Sequence, residues 1–142
     1  MAEAVLRSVD QQFSNHILKP IDETGPVATR LAKVAKRLRE FYGDGKRACV
    51  LDTLTLGGSP PAIQKHAKLT LEFWVSQFEK LARESGLDPT TARRAAEDAV
   101  AALEGGLVLA RVSGDREVFR RAVESLGERL TKTESSKLCT AR

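Results

Sequence analysis

The sequence predicts an all-α fold of six helices, and three observations carry the prediction. Ala, Leu, Glu, Lys and Arg dominate its 142 residues, the composition of strong helix formers. Apolar residues recur at spacings of three and four along most of the chain. No run alternates β-branched with polar residues, as a half-buried strand requires. The length suits one domain, with roughly 68–70% of the unfolded surface buried on folding. With 42% hydrophobic and 30% charged residues, the chain is not of the disordered or low-complexity kind.

The first helix is expected over residues 2–18, with Val5, Leu6, Val9, Phe13 and Ile17 as its apolar stripe. Pro20 stops it, because a proline disfavours the helical region for the residue before it. The second opens near Gly25-Pro26, proline being suited to a first turn, and ends at Gly43-Asp44-Gly45. Val27, Leu31, Val34, Leu38 and Phe41 face inward. A short third helix, RACVLDTLTL at 47–56, is apolar on more than one side, which predicts a central, buried position. Gly57-Gly58 terminates it. Ser59 is placed to cap the fourth helix, with Pro60 at its first position. Ile63, Ala67, Thr70, Leu71, Trp74, Phe78 and Leu81 form its inner face, and Gly86 suits a left-handed cap. Asp88 caps the fifth helix, with Pro89 first. Ser113-Gly114 breaks the chain before the sixth, capped by Asp115, whose inner face is Val118, Phe119, Ala122, Val123, Leu126 and Leu130. Residues 1–131 form the domain. The rest, 132–142, is a polar tail expected to fray.

The fifth helix is the unusual one. From Ala99 to Val112 it reads AVAALEGGLVLARV, apolar nearly all round. Such a circumference predicts burial on both sides. Gly105 and Gly106 each cost about 1 kcal/mol relative to alanine in a helix interior. Close approach by a neighbouring helix would compensate, since no Cβ stands in the way. The short link from Val112 to Asp115 makes helices five and six antiparallel neighbours. Two such hairpins would meet across a two-fold axis as a four-helix bundle, a homodimer. The competing reading is a bend at Gly105-Gly106 in the central helix of a monomer. Glu97, Glu104 and Arg111, seven apart, read as an interface rim.

Several classes of function lack support. The 23 basic and 19 acidic residues are interspersed and give a net charge of +4, a solvated surface rather than a nucleic-acid groove. Five Phe, one Tyr and one Trp are too few and too scattered for a base-stacking platform. There is no Ser-His-Asp order, no GxSxG and no phosphate loop, so no catalytic residues are assigned and no enzyme is expected. His16, Cys49 and His66 share no metal-ligand spacing, so neither metal nor cofactor is expected. His16 reads as a surface residue and Cys49 as an inert small hydrophobe. Cys49 and Cys139 form no CxxC pair, and the start shows no signal peptide. The expected compartment is the cytoplasm, with no membrane partner. Trp74 and Phe78, one turn apart, suit either a flat ligand or plain core. Thr53 is expected to orient a bound molecule and Asp52 to face solvent.

LEGGLVLARVSGDREVFRRAVESL, from Leu103 to Leu126, resembles the C-terminal end of TetR-type transcriptional repressors, in the branch typified by LmrA and YxaF. RACVLDTLTL is similar to that branch's short central helix, and GLDPTTARRAAEDAVAALEGG to its penultimate helix. AVLRSVDQQFSNHILKPI resembles the long helix that links the DNA-binding head to the regulatory body. The resemblance implies an effector-binding and dimerisation domain. It implies a dimer interface of Leu103, Gly106, Leu107, Ala110, Phe119, Ala122 and Val123. It also implies a cavity for a small hydrophobic or amphipathic effector, lined by Phe13, Ile17, Leu38, Phe41, Cys49, Thr53, Trp74 and Phe78. The family's helix-turn-helix head has no counterpart among these residues. DNA binding is therefore expected only of an intact parent, the chain being a truncated regulatory domain, a product with a late start, or a natural headless relative. The alternative function is a headless dimerisation or protein-interaction module without a ligand.

Overall fold

The computed structural model describes residues 1–132, folded as α1 (Ala2–Gln12), α2 (Val27–Phe41), α3 (Val50–Thr55), α4 (Pro61–Glu84), α5 (Pro89–Ser113), α6 (Glu117–Glu124) and α7 (Leu126–Leu130). No strand occurs among the described residues. Most of the expected polar tail, 133–142, lies outside them. Helices α4 and α5 pack along one another as an antiparallel pair, and α6 folds back along α5. Helix α2 lies against α6 and α7, and α1 lies against α4 and α3.

The turns obey their local chemistry. Asp88 caps α5: its carboxylate accepts the Thr91 amide at 3.1 Å and the Thr91 hydroxyl at 2.6 Å. Gly114 closes α5 in the left-handed conformation, with φ 76°. The Glu117 amide donates to Asp115 at 3.0 Å, so Asp115 does serve the start of α6.

Four local expectations are corrected. The first helix leaves the α form at Gln12. A π turn follows over Phe13–Ile17, closed by the Leu18 amide on the Phe13 carbonyl at 3.1 Å, and then a 3₁₀ turn over Lys19–Asp22. Pro20 offers no N–H to continue an α ladder, so the last bonds rearrange ahead of it. The third helix is peripheral, not central: Leu51 is its one buried residue, and Thr53 and Thr55 are exposed. Six residues can turn only one side inward. Ser59 caps nothing; its hydroxyl donates to the Leu54 carbonyl, and Pro60 holds the cap position of α4. The sixth expected helix is two pieces, broken at Ser125, whose hydroxyl bonds back to the Ala122 carbonyl at 2.7 Å.

An aromatic column runs through the core. Trp74 and Phe13 stack with centroids 4.1 Å apart, and Phe13 meets Phe41 edge-on at 5.7 Å. Tyr42 packs edge-on against Phe41 at 4.9 Å and against Phe119 at 5.9 Å. Arg30 is a buried exception, 4% exposed. Its guanidinium donates to the Ile21 carbonyl at 2.8 Å and pairs with Glu84, tying α2 to the 3₁₀ turn and to α4. The two terminal nitrogens are thus paired and hydrogen-bonded, as a buried charge requires, while Nε is buried with no partner among the described residues.

Candidate functional site

The two halves of α5 explain its odd sequence. Leu103, Leu107 and Ala110 are buried inside the protomer, as are Phe119 and Val123 on α6. Gly106 is a close-approach glycine: a Cβ there would meet Ala122 Cβ at 3.1 Å and the Phe119 Cα at 3.2 Å. The neighbour that the glycine admits is the protomer's own α6. Of the seven residues expected at a dimer interface, Gly106 meets Ala122 and Phe119 across the α5–α6 contact of one protomer, and all but the half-buried Ala122 are buried within it. On the other side, Ala101, Val108, Leu109 and Val112 are exposed, Leu109 by 55% and Val112 by 80%. Gly105 lies among them, and a Cβ on it would touch nothing within 4 Å. At 3.6 residues per turn, positions 101, 105, 108 and 112 form a single stripe.

The expected rim behaves in three ways. Glu97 is exposed and accepts from Arg93 at 2.7 Å, and Arg111 stands 3.7 Å from Asp52 on α3. Glu104 instead turns inward, toward Cys49 and Tyr42. Burial raises its carboxyl above the ordinary range, against a hydrogen bond with Cys49 that lowers it. The same environment, burial first and the Glu104 charge second, pushes the Cys49 thiol up to about 12. Tyr42 is raised too, mainly by burial. A thiol held protonated is a poor nucleophile, in keeping with an inert Cys49.

Of the eight residues expected around a cavity, Phe41, Cys49 and Trp74 border a gap of about 230 Å³ between α1, α2 and α3, together with Val9 and Arg47. Phe13, Ile17, Leu38 and Phe78 are buried against other side chains and do not border that gap. Thr53 is exposed, and its hydroxyl donates to the Cys49 carbonyl at 3.1 Å, so it does not point at a bound molecule. Phe13 stacked on Trp74 occupies the centre of the space that sequence reasoning left open.

Further depressions lie mostly among other residues. A crevice of about 290 Å³ separates α1 from α4, bordered by Asp10, Ser14, His66, Leu69, Thr70, Phe73 and Trp74. Asp10 accepts from Thr70 at 2.8 Å and pairs with His66. A wider surface groove of about 760 Å³ runs between α2 and the α6–α7 segment, floored by Leu31, Ala35, Val123 and Leu126. Asp44 closes one end of it, bound to Arg39 at 2.8 Å and to Arg120 at 3.2 Å. Arg39, then Arg120, hold its carboxyl below the usual range. The Asp10–His66–Thr70 cluster joins residues about 60 positions apart, a contact that no local spacing announces. Among the described residues no group of three or more His, Cys, Asp or Glu is placed to hold a metal ion, and no helix is long and apolar enough to cross a membrane.

The described residues form an all-helical domain with an unpartnered apolar stripe on α5. Residues 26–125 match the family model of the LmrA/YxaF-like transcriptional regulator C-terminal domain, of the TetR type, and the chain belongs to that family. Neither the curated proteins nor the solved structures gave a match.

Proposed function

We propose that this chain is a homodimeric, effector-binding regulatory domain acting in the cytoplasm, without enzymatic activity. The observation that supports it most is the second face of α5. A helix already packed by its own protomer carries a further apolar stripe of Ala101, Val108, Leu109 and Val112 around an open glycine. Contiguous exposed apolar surface of this kind is what an interface uses. A second copy of the stripe, related by a two-fold axis, would cover it self-complementarily. In a polypeptide with a helix-turn-helix head ahead of α1, the small hydrophobic or amphipathic effector would favour one placement of α1 and so weaken DNA binding by a population shift.

Sedimentation of the full chain at micromolar concentration tests the dimer. The expected species has twice the 15.5 kDa mass, and Val108→Asp with Val112→Asp returns it to monomer without loss of helicity. A 15.5 kDa particle for the unaltered chain would overturn the proposal. A dimerisation module with no ligand is the second reading. It is favoured by the Phe13–Trp74 stack, which leaves only a small gap at the centre. Trp74 fluorescence against a panel of amphipathic compounds separates the two, a saturable response supporting the effector reading.

A further inference from the structure

We propose that the crevice between α1 and α4 binds a small aryl-alkyl amine, its ammonium group on Asp10 and its ring against Phe73 and Leu69. This inference rests on the effector-binding reading and gives it a location and a ligand chemistry.

Size sets the first limit. About 290 Å³ lies at the low end of small-molecule sites, enough for a single ring and a short chain. The walls set the second. Phe73 and Leu69 remain 43% and 61% exposed, costly for large apolar side chains unless something covers them, and both border this crevice. The inner end sets the charge. The Asp10 Oδ2 atom is occupied by Thr70 and His66, whereas its Oδ1 atom is buried with no partner among the described residues. A buried acceptor without a donor is disfavoured, and more so when it is ionised. An ammonium supplies the missing donor and a compensating charge, while a carboxylate ligand would meet repulsion there.

Oδ1 is closed to solvent, so the ammonium reaches it only as α1 shifts on α4. Binding and displacement of α1 are therefore one event. Asp10 sits just ahead of the π turn, where the α hydrogen-bond ladder is already interrupted.

The test uses 2-phenylethylamine on the full chain, followed by Trp74 fluorescence and calorimetry. The matched controls are 2-phenylethanol and 3-phenylpropionate. The amine is expected to bind about tenfold or more tightly than either control, as one charge-assisted hydrogen bond implies. Asp10→Asn should remove that preference. Leu69→Lys, a surface change that leaves the fold intact, should weaken the amine and not the carboxylate. Equal affinity for amine and carboxylate would overturn the inference. So would amine binding that survives both variants but is lost when Cys49→Phe fills the gap beside α2; effector binding itself would then stand. Silence from the amine with a saturable response to other amphipathic compounds would likewise sink only this assignment. Silence from every compound would sink both.

Discussion

The α5–α6 hairpin and the α1–α4 junction are built from similar residues to opposite ends. In the hairpin, Gly106 lets α6 approach until its Cβ position lies within 3.2 Å of a backbone atom, and Phe119 is fully buried beside it. At the junction, Asp10, His66 and Thr70 form a polar clasp beside a crevice, and α1 ends in a π turn. Close packing resists gradual deformation, whereas partly satisfied polar contacts and gaps mark the places that open first. The α5–α6 hairpin is thus a close-packed platform, whereas α1 is held on α4 by a polar clasp beside a gap.

The largest effect should come from the platform. Phe119→Ala is expected to cost about 3–5 kcal/mol, read as a lower urea midpoint. Next come the two adjacent glycines, which should diverge in sign. Gly106→Leu forces a side chain into Ala122 and the Phe119 backbone, for a loss of about 1–3 kcal/mol. Gly105→Ala meets nothing within 4 Å in the protomer and, read on the monomeric Val108→Asp/Val112→Asp background, should gain up to about 1 kcal/mol of helix propensity. Equal effects at the two positions would break the contrast between the inner and outer faces of α5.

The smallest effect concerns Glu104. Burial raises its carboxyl pKa in the folded state, so the native protein keeps that proton to higher pH than the unfolded chain does. Stability contributed by this group therefore falls as pH rises from the ordinary carboxylate range through the raised folded value. Glu104→Gln should raise Tm slightly at pH 7–8, and the gain should vanish near pH 4, below the range where an ordinary glutamate titrates. A pH-independent difference would mean that the residue sits in a more solvated setting.

The helices were legible because burial on one side leaves a three-and-four rhythm in the sequence. The Asp88 cap and the break at Gly114 were legible because their chemistry is local. Periodicity also found that α5 has two apolar sides, but it could not divide them. Leu107 and Leu109 look alike in a sequence, and only the packing of α6 decides that one is buried and the other exposed. Of the eight residues expected around a cavity, Phe13, Phe41, Cys49 and Trp74 come together while Thr53 is exposed: large aromatic rings fill space as readily as they surround it, and Phe13 against Trp74 does the former. Arg30 with Glu84, and Asp10 with His66, escaped notice because each pair is joined across more than fifty residues.

The π turn at Phe13–Ile17 keeps the phase of the helix upstream of it. Each residue of an α-helix advances the chain by roughly 100° about its axis. A π turn spreads one extra residue over about the same rotation as an α turn, so deleting a single residue there would restore a regular helix and leave Leu6 and Asp10 facing α4. The turn is thus a place where the chain tolerates a one-residue change of length without re-aiming α1.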